Sequence, residues 1–228
     1  MTGRISRGAV VVVALVSTIA PAAGAQAGRA KPSAAGQACA WKPTDAWVAR
    51  QAEFFDDSKH DWTNDTLRAA LLSAAGIQGA LTAPVQLGVQ IEGREPSYGS
   101  GAANMVEQLK PLATTRGATW PGRSVVGAAG THAVFLLALR DTGFARAALH
   151  RMMEAGPAES PAADVATLED RLRLLAGRKQ IYGTQFRIVD GKIVLAPMED
   201  SAHADLRRED AGLPPFALGL CLARTSGK

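Results

Sequence analysis

Asp190-Gly191 separates two runs rich in β-branched and aromatic residues, 180–189 and 192–195. No other long stretch of the chain reads as β rather than α. Both central residues of a two-residue hairpin turn need positive φ, which Asp and Gly tolerate, so this pair predicts strand, tight turn, strand, closed by Pro197. Tyr182-Gly183-Thr184-Gln185 falls in the first predicted strand. There Gly183 marks a bulge or a close approach by another group. Apolar spacing elsewhere is helical, and strands and helices do not alternate. The expected fold class is therefore mainly α with one small β-hairpin (α+β), its helices packed around a C-terminal two-stranded ribbon.

The same stretch is dense in polar chemistry. Gln180, Tyr182, Thr184 and Gln185 offer amides, a phenol and a hydroxyl close together, and Arg178, Lys179 and Arg187 flank them. Glu199 and Asp200 follow the second strand, Asp170 and Arg171 stand on the preceding helix, and Arg207 and Arg208 on the next one. Three readings stay open. In the first, these groups bind a small polar or anionic ligand, with Arg171, Arg207 or Arg208 meeting carboxylate or phosphate bidentately. In the second, the chain is a hydrolase-like enzyme with Asp170 or Glu199 as acid or base, and Tyr182 with Arg171 steadying developing negative charge. No nucleophile–His–acid set is visible for it. In the third, Asp170, Arg171 and Arg207 form an ion-pair network that fixes the hairpin to the helices and binds nothing.

The first residues carry Arg4 and Arg7, then a mainly apolar run over 9–20, then Ala23-Gly24-Ala25. This is the pattern of a Sec-type signal peptide cleaved after Ala25. The run is shorter than the roughly 20 residues that span a bilayer. A secreted or periplasmic protein, with no membrane attachment after cleavage, is expected. Residues 26–40 are Ala-, Gly-, Pro- and Ser-rich and read as a disordered leader. Residues 41–228 then form a single mostly helical domain. The formal charge of +4 falls to +2 once Arg4 and Arg7 are removed, too little to argue for nucleic acid. Two cysteines, Cys39 and Cys221, make an even count, so an exported protein is expected to pair them.

Along the body, residues 43–59 suit an amphipathic helix with Thr44 or Asp45 as cap. Asn64 or Asp65 caps a second helix ending near Gly76. Residues 78–97 read as a short strand or extended connector. Ser100 is the expected N-cap of a helix over 102–114. Helices follow over 126–140, with His132 as a packed residue, over 142–153, and from Ser160-Pro161 to Gly177. A short charged helix covers 203–210 and a final apolar one lies within 213–223. The Asp56-Asp57 cluster lacks the spacing of a calcium loop. No metal site and no cofactor are expected, and the oligomeric state is left open.

From Trp120 onward the chain resembles an uncharacterised bacterial family, catalogued only as a domain of unknown function. The resemblance rests on Trp120-Pro121, Ser124-Val125-Val126-Gly127, Leu168-Glu169-Asp170-Arg171, Gln180-Ile181-Tyr182-Gly183-Thr184-Gln185, Pro197-Met198-Glu199-Asp200, Asp205 with Arg207-Arg208, and Gly212-Leu213-Pro214. It covers residues 117–223. It implies a fold and candidate residues, not a reaction. Family members carry a Gln-His-Ala-Asp-like segment where this chain has Leu139-Arg140-Asp141-Thr142. An activity depending on that His would be altered or absent here.

Overall fold

The computed structural model describes residues 39, 44, 49, 54–57, 61–78 and 88–225. The expected signal peptide and nearly all of the expected leader lie outside the described residues. So does most of the expected helix over 43–59, of which Ala49, Phe54 and Phe55 are helical.

Among the described residues seven α-helices and three strands follow, a mainly helical α+β fold. Helix α1 (Asp65–Ala75) starts where Asn64 accepts a hydrogen bond from Leu67 N. It stops at Gly76, whose φ of 73° is the left-handed conformation that ends helices. Strand β1 (Gln90–Ile91) comes next, then α2 (Ala102–Thr114), α3 (Arg123–Ala138), α4 (Thr142–Ala155) and α5 (Ala162–Leu175). The chain continues through β2 (Gln185–Val189), β3 (Lys192–Leu195), a 3-10 turn (Ser201–His203), α6 (Ala204–Asp210) and α7 (Phe216–Thr225). Asp141 caps α4 by accepting from Phe144 N at 2.7 Å. Ser100 does not cap α2. Gly101 holds that position, with no side-chain bond to the helix end.

Apolar residues at helical spacing explain why α1 to α5 assemble. Leu71, Leu109, Leu137, Phe144, Met152 and Leu168 are almost fully enclosed in one core. Burying each contributes about 1.5–3 kcal/mol. Helix α3 carries apolar residues all round because it is buried all round. It is kinked at Gly127, with φ 69° and ψ 172°, a conformation essentially reserved for glycine. Arg68 and Asp57 fill the kink. Arg68 Nη1 donates to Val126 O at 2.7 Å, and Asp57 Oδ1 accepts from Ala128 N at 2.9 Å. The two side chains also pair with each other at 2.6 Å. This gives the Asp56-Asp57 region an architectural use.

The hairpin forms as expected, with Asp190 and Gly191 both at positive φ and Val189 opposite Lys192. Two features differ. The sheet has three strands, because β1 pairs in parallel with β2, Gln90 opposite Gln185. In addition, β2 begins only at Gln185, so Tyr182-Gly183-Thr184 is a loop and not strand. Helix α7 covers the sheet, where Ala223 meets Ile91 and Phe186. The Cys39–Cys221 disulfide ties α7 to the start of the described chain, with Cα atoms 5.7 Å apart.

Candidate functional site

Helix α5 presents two stripes. Val165, Leu168 and Leu172 face the main core. Ala163, Ala166, Thr167 and Asp170 recur at three- and four-residue spacing and are also buried. The small residues of this second stripe let the 180–185 loop come close, and Asp170 receives it. Its Oδ1 accepts from Ile181 N at 2.7 Å and Tyr182 N at 3.0 Å. Its Oδ2 accepts from Thr184 N at 3.0 Å and Thr184 Oγ1 at 2.8 Å. A carboxylate has about four acceptor sites, so this fully enclosed one is saturated. Gly183 turns the loop at φ 72°, and a Cβ there would press on the Phe216 ring.

Gln180 takes the place of a ladder residue. Its Nε2 donates to Gln185 O and Ala196 O at 3.0 and 2.9 Å, and its Oε1 accepts from Gln185 N at 2.9 Å. The Gln185 amide donates to Thr167 O and Thr184 Oγ1. Arg208 is also enclosed. Its Nε donates to Pro214 O at 2.6 Å and its Nη1 to Tyr182 O at 2.8 Å. Burial pulls its guanidinium down to about 10. Arg207 Nε donates to Ile181 O at 2.9 Å and Nη2 to Asp200 O at 2.6 Å. Arg173 holds Glu199 at 2.8 Å, and Asp200 pairs with His203.

The candidate residues therefore do not meet at one recess. Asp170, Gln180 and Thr184 are internal and satisfied. Two recesses lie on different sides of the loop. The larger, about 520 Å³, runs between the C-terminal half of α5 and the sheet. Arg171 and Gln185 line it, together with Arg178, Lys179 and Arg187, and Glu92 and Glu95 contribute the acidic wall. Arg171 pairs with Glu95 at 3.2 Å and donates to Leu139 O at 3.0 Å. Arg178, Lys179 and Arg187 are exposed and form no ion pair with a described residue. The smaller recess, about 350 Å³, holds Tyr182 and Arg207. Glu199 and Asp200 line neither.

Residues 90–95 were the part of the larger recess hardest to foresee, because their place depends on a two-residue parallel pairing far along the chain. A second buried pair also escaped the sequence reading. His132 Nδ1 lies 2.9 Å from Asp164 Oδ2, both enclosed, joining α3 to α5. Burial pushes the Asp164 carboxyl up, and His132 partly opposes this. His132 Nε2 and the enclosed Ser160 Oγ each lack a hydrogen-bond partner, so they are not bonded to each other and form no serine–histidine–acid relay. Among the described residues no three His, Cys, Asp or Glu side chains gather where they would hold a metal ion.

Both tyrosines of the chain ionise late, and Tyr182 lines the smaller recess. Burial, then Glu95, pushes Tyr98 up to about 12. Burial, then Glu169 and Asp170, raises Tyr182. A phenol raised above its unfolded value of 10.0 contributes stability below pH 10. That contribution is lost as pH climbs through the folded value. Tyrosinate absorbance in the native protein is expected to develop only above the ordinary phenol range, and to return to it in denaturant. A native titration centred at pH 10 would contradict this.

A family model described as a family of unknown function (DUF6624) matches residues 83–224. No curated protein and no solved structure matches the chain.

Proposed function

We propose, starting from the fact that this chain belongs to the DUF6624 family of unknown function, that it is an exported protein that binds a small anion in the larger recess. The observation that carries the reading is a set of cations there that form no ion pair with a described residue. Arg178, Lys179 and Arg187 stand around one opening with Arg171, against two carboxylates of which one is already paired. Guanidinium groups recognise carboxylate or phosphate bidentately, and partial enclosure strengthens such bonds. The volume lies within the roughly 300–1,000 Å³ of small-molecule sites. Saturation of Asp170 argues against its use as a general base and for its use as scaffold. The network of Asp170, Gln180, Thr184 and Arg208 shapes the recess without entering it. Export is supported by Arg4, Arg7, the apolar run over 9–20 and the Ala23-Gly24-Ala25 site, and by a disulfide, which persists outside a reducing compartment.

The test is a thermal-shift and calorimetric screen of inorganic phosphate, citrate, succinate and sugar phosphates at low salt. At least one is expected to bind and raise the melting temperature. A concentration of 100 times Kd corresponds to about 2.7 kcal/mol. The Lys179→Glu/Arg187→Glu variant should bind about tenfold more weakly or worse, with little change in unliganded stability, since both side chains are exposed. Failure of the whole panel to bind, or undiminished binding by the charge-reversed variant, would overturn the reading.

A further inference from the structure

The smaller recess is built differently. It opens between the end of α4, the turn over 156–160, the start of α5 and helix α6. Met152, Val165, Ala166 and Ala211 give it apolar walls, and Met153 stands at the mouth, 60% exposed. Ser160, fully enclosed, forms part of the lining, and its Oγ has no hydrogen-bond partner. A buried hydroxyl left unsatisfied is costly, so a partner from within the recess would relieve it. Tyr182 and Asp210 also line the recess, and neither side chain bonds to a described residue. Arg207 is already committed to the carbonyls of Ile181 and Asp200 and to the Asp200 carboxylate. The uncommitted charge is therefore a carboxylate, the opposite of the larger recess.

From this we infer that the smaller recess is a second site, which takes a small organic amine: an apolar body with an ammonium at one end and a hydrogen-bonding group at the other. The ammonium meets Asp210 and the Tyr182 phenol oxygen. The body fills the space between Met152, Val165 and Ala166. The far polar group reaches Ser160 Oγ. At about 350 Å³ the recess suits a molecule near the lower size limit of small-molecule sites, roughly 300 Å³.

Tyramine and phenethylamine separate the parts of this proposal, because they share body and ammonium and differ by one hydroxyl. NMR or calorimetric titration of the oxidised, full-length mature protein should show both binding at millimolar concentrations, tyramine severalfold more tightly. Ser160→Ala should bring tyramine down to the level of phenethylamine. Asp210→Asn, at an exposed position, should weaken both about tenfold. Ala162→Trp, which fills the recess from a partly exposed position on the first turn of α5, should abolish both. Lys179→Glu/Arg187→Glu should leave amine binding unchanged, so this site is tested apart from the anion-binding recess. Absence of binding, equal affinity for the two amines, or full binding by Ala162→Trp would each overturn the inference.

Discussion

Asp170→Ala is expected to lower the free energy of unfolding by roughly 4 kcal/mol, the largest effect of any single side chain in the loop region. The carboxylate is fully enclosed and answers four donors, three of them backbone amides. Truncation leaves Ile181 N, Tyr182 N, Thr184 N and Thr184 Oγ1 with no acceptor in a space closed to solvent. Each such group costs about 1–3 kcal/mol, reduced where the loop relaxes. Asp170→Asn keeps the volume but turns an amide nitrogen toward donors, so it should recover little. Arg171→Ala, one residue along, is the control. Arg171 is partly exposed and pairs with an exposed glutamate, so its loss should cost about 1 kcal/mol or less. Chemical denaturation with matched m-values measures both. A loss under about 1 kcal/mol for Asp170→Ala would mean that the loop does not depend on this carboxylate. Against a usual total of roughly 5–15 kcal/mol, the predicted loss is large enough to leave part of the population unfolded.

Reduction of the Cys39–Cys221 bond is the second large effect. The bridge spans 182 residues in sequence. In the chain-entropy account, opening a loop of that length costs about 5 kcal/mol. The structural consequence centres on α7. Cys221 lies on it two residues before Ala223, which packs against Ile91 and Phe186 of the sheet. Loosening α7 would expose that small apolar cluster, which includes Ile91 of β1. The melting temperature should therefore fall steeply with reductant, as should that of Cys39→Ser/Cys221→Ser. Alkylation of the unreduced protein should label no thiol, and both after reduction. Two labelled thiols before reduction would contradict the bond.

Local signals carried much of the architecture. Asn64 and Gly76 bound α1 as their capping chemistry requires, and Asp190-Gly191 turns the hairpin. The helical spacing of Val165, Leu168, Leu172 and Leu175 predicts a core face for α5; the first three pack on the core, whereas Leu175, at the helix end, is exposed. Where the reading differed, a distant group overrode a local preference. Tyr182-Gly183-Thr184 has strand-like composition but forms a loop, because Asp170 collects its amides from 11 to 14 residues upstream. Read as part of one strand, Tyr182, Thr184 and Gln185 lie close together. In the loop, Tyr182 turns to one recess and Gln185 to the other. The parallel pairing of β1 was legible only as alternating apolar residues, since nothing local specifies a partner some 95 residues away. Ser100 shows the reverse failure, a suitable capping residue one position too early. The resemblance read from Trp120 onward also began late, since the family match starts at residue 83 and includes β1. The second stripe of α5, Ala163, Ala166, Thr167 and Asp170, was readable in principle. Small residues and a carboxylate at helical spacing on a non-core face announce that another segment packs there.

Asp170 and Gln180 are satisfied within the scaffold, while the larger recess presents cations that pair with no described residue. Amide NMR titration of the oxidised protein with the tightest anion from the panel tests this division most directly. Chemical shifts at Gln90, Arg178, Lys179, Gln185 and Arg187 should move together and saturate with one constant, and in Lys179→Glu/Arg187→Glu those of Gln90, Arg178 and Gln185 should need about tenfold more anion or more to move as far. Saturable shifts confined to Tyr182, Arg207 and Asp210, with the residues of the larger recess silent, would contradict it.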